Sequence, residues 1–167
     1  MRDVNYKIVA EKYISHLEDG GVFLMAKSAE KTNIMTIGWA NIGRIWTKPI
    51  VMVAVKKSRF TFDIIDKANS FNINIPITNM REALIFCGTK SGRDFDKFKE
   101  CNLTLIPAQK VETPIVNISG YHCECKIVHK SVMNPVYLSE EYRKTYYSDE
   151  EYHILYFGEI LACYINE

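Results

Sequence analysis

The sequence has no surplus of either charge: 21 Lys and Arg face 20 Asp and Glu, with no long run of one sign. A nucleic-acid binder normally carries a basic excess or stripe, so that partner class is excluded as an expectation. No apolar stretch approaches the ~20 residues that a membrane helix needs. The run from Ile50 to Val55 is the longest comparable one, and it suits a buried strand. The first seven residues, Met1 to Lys7, have no apolar leader core, which makes the cytoplasm the expected location. The Asn-x-Ser/Thr sequences at Asn102 and Asn117 then carry no glycosylation meaning. No Gly-x-Gly-x-x-Gly is present, so a Rossmann nicotinamide site has no support. Repeats, low-complexity tracts and linkers are missing too, and the 167 residues read as one domain, 1–167.

Five cysteines stand at irregular spacing, an odd number that in the cytosol implies reduced thiols. His122-Cys123-x-Cys125 with His129 resembles a metal set at first glance. On a strand, however, His122 points away from the two cysteines, and no second ligand pair exists. No metal is expected.

What is present is hydrophobic residue at 47% and a wealth of Tyr and Phe, both favourable to strands. Residues 5–18 have helical apolar spacing and stop at Gly20-Gly21. Strands are expected at 22–27 and 33–40 around a polar turn at 28–32, then at 50–55 with both faces covered. Ser58 is the expected N-cap of a helix whose Phe60, Ile64 and Ala68 share a face. Residues 70–75 alternate, with Phe71, Ile73 and Ile75 on one side and Asn72 and Asn74 on the other. Asn79 is expected to cap a helix over 80–87 closed by Gly88, before a polar loop at 89–94 and a short helix at 95–100. Further strands are expected at 103–106, 114–117, 119–129 and 153–165. Segment 134–151, Tyr-rich and charged, reads as an irregular excursion: a lid, a dimer arm or a helical detour. Mostly strands with helices inserted in the middle predicts a mainly β fold, a barrel with inserted helices.

Three segments have the composition of a ligand site. Lys56-Lys57-Ser58-Arg59-Phe60-Thr61 lies where a buried strand gives way to a helix, and offers cations, hydroxyls and free N–H groups to an anion. The plainer alternative is a solvated basic turn. Cys87-Gly88-Thr89-Lys90-Ser91-Gly92-Arg93-Asp94-Phe95-Asp96-Lys97-Phe98 has two glycines that let backbone N–H groups turn inward, with Arg93 and Lys97 as counter-charges. It lacks the P-loop spacing, and an interhelix loop with Asp94 as the next cap is the alternative. In Thr32-Asn33-Ile34-Met35-Thr36-Ile37-Gly38-Trp39, Gly38 permits close approach of a flat ligand. Asn33 and Thr36 can hydrogen-bond that ligand, and Trp39 or Trp46 can cover a ring; a bulged core strand is the alternative. His153 opens the final strand, either as a surface residue or beside the ligand's ring.

These segments in this order, together with Trp46, Pro49 and His153-Ile-Leu-Tyr-Phe-Gly-Glu159, resemble the flavin reductase-like, FMN-binding split-barrel family, in its flavoredoxin branch, over about residues 20–165. The resemblance implies FMN near the interface of a homodimer. It implies an isoalloxazine lined by backbone groups of Met35 and Ile37 and by the Thr36 side chain. The rest of the 33–39 strand, with Asn33 and Trp39, would complete the ring end, and the sharper reading of His153 puts it there too. Lys56, Ser58, Arg59 and Thr61 would hold the phosphate. The loop from Cys87 and Gly88 to Lys97 would close over the ribityl phosphate, with Ser91 and Arg93 its main contacts. Lys56 stands where the family commonly has Arg, and Phe60 where it has Tyr. The implied activity is a flavin-based oxidoreductase fed by NAD(P)H or a redox protein. The alternative is a non-catalytic FMN electron carrier or sensory module.

Overall fold

The computed structural model of the chain describes residues 1–29 and 31–167; the turn expected at 28–32 includes Glu30, which lies outside the described residues. Its strands are β1 (Arg2–Asp3), β2 (Val22–Lys27), β3 (Thr32–Ile37), β4 (Ala40–Ile45), β5 (Lys48–Val55), β6 (Ser70–Pro76), β7 (Leu105–Ile106), β8 (Ile115–Val116), β9 (Gly120–Val132) and β10 (Ile154–Asn166). Its helices are α1 (Tyr6–Glu18), α2 (Phe60–Ile65), α3 (Arg81–Thr89), α4 (Lys97–Glu100) and α5 (Glu140–Tyr146).

The main sheet runs β3-β2-β6-β9-β10-β5-β4, antiparallel throughout, with β1 added to β10. β3 and β4 form its two ends, yet only Gly38 and Trp39 separate them in the chain. Two residues span a few ångströms. The sheet must therefore curl until its ends meet, which makes it a split barrel with a seam at Gly38-Trp39. This also explains why the strand expected over 33–40 breaks at Ile37. The chain changes sheet ends there.

The barrel interior is filled by Leu24, Val53, Phe71, Ile73, Tyr156 and their neighbours, with Tyr13 of α1 closing one mouth. A second cluster, around Phe23, Met25, Ile34 and Leu84, lies beneath α3 on the outer face of β2 and β3. β6 alternates as its sequence implies, but both its faces are buried. Asn72 donates to the Pro114 carbonyl at 3.1 Å and Asn74 Oδ1 lies 2.8 Å from His122 Nδ1. The segment before β9 covers that side, so the asparagines answer backbone and imidazole groups in place of water. Gly158 sits at a register shift of β10 where Phe71 and Cys125 press close: a Cβ there would lie 2.6 Å from Phe71 Cζ.

Several local expectations are corrected. Arg59, not Ser58, is the N-cap of α2, and no side chain caps it. Ser58 instead donates its N–H and hydroxyl to Glu151. Met80 is the N-cap of α3, while Asn79 Oδ1 accepts the Arg81 N–H at 3.1 Å. α3 runs through Gly88 to Thr89, so Gly88 does not close it; it packs against Thr36, where a Cβ would meet Thr36 Cβ at 3.2 Å. Asp96, not Asp94, caps the short α4, accepting from Phe98 and Lys99 N–H. β5 is buried at Val51, Val53 and Val55 but only half covered at Met52 and Ala54, so one face stays open beside the seam.

Candidate functional site

The seam is where the open edge of β3 faces the end of β5. Its backbone phase follows from one bond: Ser28 N–H donates to the Lys31 carbonyl at 2.9 Å. In an antiparallel pair, bonded and non-bonded residues alternate. Asn33, Met35 and Ile37 therefore turn their backbone groups toward β2, and Ile34 and Thr36 turn theirs to the free edge. The Ile34 carbonyl accepts from Lys97 Nζ at 3.1 Å, from outside the sheet, in agreement. Free-edge backbone groups thus belong to Ile34 and Thr36, which corrects the expectation that Met35 and Ile37 present theirs.

Two cavities adjoin along this edge and share Met35 and Arg59. The first, of about 250 Å³, is lined by residues 35–39 of the β3 end, Ala54 and Lys56 of the β5 end, Arg59, Gly88 and His153. Its walls combine strand backbone, apolar side chains and the rings of Trp39 and His153 with the cations of Lys56 and Arg59. Trp39, 46% exposed, forms one wall and its ring lies 4.8 Å from that of His153. The second, of about 280 Å³, is lined by Ser58, Arg59, Phe60, Thr61, residues 89–93 and Lys97. It is polar and basic, with Arg59, Lys90, Arg93 and Lys97 around it.

Each side chain is held by a partner. Asn33, buried, lines neither cavity; its Nδ2 donates to Thr61 Oγ1 at 2.8 Å and fixes that hydroxyl at the floor of the second. Thr36 Oγ1 donates to the Leu84 carbonyl at 2.6 Å, tying the β3 edge to α3. Arg59 donates to the Gly88 carbonyl at 2.5 Å and so bridges α2 to α3. Arg93 donates to the Ser58 carbonyl at 3.0 Å and to Asp63 at 2.9 Å, with its guanidinium 5.4 Å from the Phe60 ring centre. Ser91 Oγ accepts the Arg93 N–H at 3.1 Å, which folds the loop. Gly92 is required here: a Cβ would fall 2.4 Å from Phe60 Cδ1 and 2.5 Å from Asn33 Oδ1. Lys97 is 3% exposed, and its Nζ donates to the carbonyls of Ile34 and, at 2.7 Å, Cys87. Burial lowers its pKa. The Cys87 thiol faces the second core cluster, outside both cavities; burial and then Cys101 push it up to about 12. Only its carbonyl serves the site.

His153 Nδ1 lies 3.0 Å from the Tyr147 hydroxyl. Burial, followed by the charge of Lys56, holds its pKa below 6.5, so it is a neutral imidazole at pH 7. Lys56 and Ser58 face the acidic stretch at the end of the 134–151 excursion. Lys56 Nζ is 2.7 Å from Asp149, and Glu151 accepts both Ser58 N–H, at 2.5 Å, and Ser58 Oγ–H, at 2.9 Å. Of the sequence-derived candidates, all but Asn33, Trp46 and Cys87 thus line one cavity or the other; Trp46 packs instead beside His129 and Phe157. Sequence reasoning missed Ala54, Thr89, Tyr147 and the two carboxylates. Nothing in the spacing of Asp149 and Glu151 pairs them with residues some ninety positions earlier. No cluster of potential metal ligands occurs among the described residues, and none of their helices is long and apolar enough to cross a membrane.

Known proteins resemble the chain over most of its length. An uncharacterized protein of Pyrococcus abyssi is 28% identical over 138 residues, 83% of this chain and 69% of that one. The flavoredoxin of Methanosarcina acetivorans superposes with a TM-score of 0.68 at 25% identity, covering 87% of this chain and 68% of that chain. The flavoredoxin of Desulfovibrio vulgaris (Miyazaki F) gives 0.68 at 23% identity, over 88% and 70%. The flavin reductase like domain family matches residues 15–167, a span that includes the seam, both cavities and the acidic stretch, and the chain belongs to that family.

Proposed function

We propose that the seam binds FMN, ring system in the first cavity and phosphate in the second, and that the protein is an oxidoreductase passing electrons from NAD(P)H or a redox protein through the bound flavin. One observation carries this reading: a cavity edged by the β3 backbone and by the rings of Trp39 and His153 shares its Met35 and Arg59 walls with a basic one. A flat heterocycle with a phosphate on a short tether needs that pair of environments in that order. The residues fit the group. Thr36 offers an unpaired backbone donor and acceptor to the polar edge of the ring, and Trp39 and His153 offer faces. Arg59, Lys90, Arg93 and the Thr61 hydroxyl surround the phosphate end. Bound FMN would supply hydride acceptance and onward electron transfer, chemistry that no side chain here performs. The chain's own residues bind, orient and shield; none is assigned as acid or base, since a neutral His153 hydrogen-bonded to Tyr147 serves position. The exposed side chains of Val136 (80%), Tyr137 (87%) and Tyr142 (55%) suit a second copy of the chain, in line with a homodimer.

The test is direct. Purified protein, or apoprotein with added FMN, should show flavin absorbance and quenched flavin fluorescence at stoichiometric binding; colourless protein that ignores added FMN would end the reading. Steady-state NADH and NADPH oxidation with added free FMN then separates a reductase from an electron carrier, which would turn over with neither nicotinamide.

A further inference from the structure

The sequence assigned Lys56 and Ser58 to an incoming phosphate, but both already hold anions of this chain. Glu151 takes the two donors of Ser58, its backbone N–H and its hydroxyl, with one carboxylate oxygen each. Lys56 Nζ lies 2.7 Å from Asp149 and 3.9 Å from Glu151. The two carboxylates are tied to one another, since Asp149 Oδ1 accepts the Glu151 N–H at 3.1 Å. Between them the two carboxylates accept from a backbone N–H and a hydroxyl, at Glu151, and from an ammonium, at Asp149, which together make a donor set a phosphate would use. We propose that Asp149 and Glu151 are an internal counter-anion at the Lys56–Ser58 end of the cleft, and that a phosphate-bearing ligand binds in competition with it.

The inference rests on the flavin reading for its ligand, and on geometry for its mechanism. The carboxylates sit on a short segment anchored on both sides by aromatic contacts at the mouth of the first cavity. On one side, the rings of Tyr146 and Tyr147 meet Trp39 edge-on at 5.5 and 6.3 Å. On the other, Tyr152 stacks on Tyr147 at 4.9 Å. Displacement of the carboxylates therefore changes the surroundings of Trp39. The contacts are partly exposed: Lys56 and Glu151 keep 23% and 28% of their side-chain surface, and Asp149 keeps 55%. Such pairs are weak enough for a doubly charged phosphate to exchange with them. Two negative charges beside the cleft also repel that phosphate wherever in the basic cavity it rests. The segment thus sets how strongly the site prefers a phosphorylated flavin over an unphosphorylated one.

The experiment compares wild-type protein with the D149N/E151Q variant, titrated with FMN and with riboflavin, which has the same ring and no phosphate. The variant keeps hydrogen-bonding groups in place and removes both charges. FMN affinity should rise by about fivefold, the size that two partly exposed ion contacts supply, while riboflavin affinity stays as in wild type. Unchanged or weaker FMN binding, or an equal gain for riboflavin, would overturn the proposal and leave the carboxylates as fixed struts. A second arm does not depend on flavin. In a W46F background Trp39 is the sole tryptophan, and inorganic phosphate should shift its emission; the shift should vanish when D149N/E151Q is added. No phosphate response in either protein also overturns the competition. If FMN fails to bind both proteins while the Trp39 response holds, the flavin reading falls and the internal anion stands.

Discussion

Lys97 offers a test in which stability and ligand binding both follow from one buried ammonium. Its Nζ joins the free edge of β3, at the Ile34 carbonyl, to the last turn of α3, at the Cys87 carbonyl, and it borders the basic cavity. Lys97→Met keeps the length of the side chain and removes the donor. Two buried carbonyls then lose charge-assisted partners, a gross loss of roughly 1.5–3 kcal/mol each. Relief of the ammonium's desolvation offsets part of that, leaving a net cost of about 2 kcal/mol. With a urea m-value of about 2 kcal/mol/M for a domain of this size, the midpoint falls by about 1 M. An unchanged midpoint would refute the claim that Lys97 ties the edge to the helix.

The same variant has a pH signature and a ligand signature. Burial holds the folded pKa of Lys97 below its usual 10.5. Between the folded value and 10.5 the unfolded chain binds more protons, so this group makes stability rise with pH in that window and fall as pH drops through it. The rise should be missing from Lys97→Met. Removal of a positive charge beside a phosphate should also weaken FMN by about tenfold or more, even at a high effective dielectric, and leave riboflavin nearly unaffected. An equal loss for both flavins would mean that the variant disturbs the cleft's shape and that its charge is irrelevant.

Three further outcomes are expected. Arg59→Ala should weaken FMN far more than Arg44→Ala on the exposed edge strand β4, because Arg59 lines both cavities and Arg44 lines neither; equal effects in a flavin titration would remove the phosphate assignment. His122 is fully buried with a pKa lowered to about 4 by desolvation, so stability present above its usual 6.5 is lost as pH falls toward 4. The loss is about 3 kcal/mol, and a urea series with His122→Gln should flatten that stretch of the profile. Gly158→Ala would press its Cβ into Phe71 and Cys125, so thermal unfolding should show a cost of about 1–3 kcal/mol while flavin affinity stays put, since Gly158 lines neither cavity.

The parts of the site that were legible in the sequence are those whose chemistry is local. Ser58-Arg59-Phe60-Thr61 and the loop around Gly92 carry donors and flexible backbone within a few residues, and the structure brings both to one cavity. Gly38 was legible as an interruption but not as a seam. That meaning depends on β3 and β4 closing opposite ends of one sheet, which is a property of the whole topology. Which backbone groups of β3 are free depends on the phase of a hairpin bond at Ser28, and a shift of one residue exchanges the two sets. Ser58 has the composition of a cap and the environment of an anion ligand. Only a carboxylate ninety-three positions away decides between the two, and no local pattern encodes it.

These distant partners also explain how a cleft lined by five cations exists in a chain with a net charge of only +1. Lys56 faces Asp149, Arg93 faces Asp63 and the Ser58 carbonyl, Lys97 is held by two carbonyls, and Arg59 by that of Gly88. Lys90 lies over the ring of Phe95 at 5.8 Å with no acidic partner among the described residues. Nearly every cation is thus oriented before a ligand arrives, so binding orders few long side chains and forfeits little of their rotamer entropy. Where the partner is a carbonyl or a ring, the full positive charge remains for the ligand. Where it is a carboxylate, the charge is already neutralised. Arg59, Lys90 and Lys97 therefore carry the attraction in the unliganded cleft, while Lys56 and Arg93 stay paired with Asp149 and Asp63 until a ligand anion competes for them. Arg59 alone among the first three borders both cavities, which is why one guanidinium is expected to govern how ring and phosphate are held together.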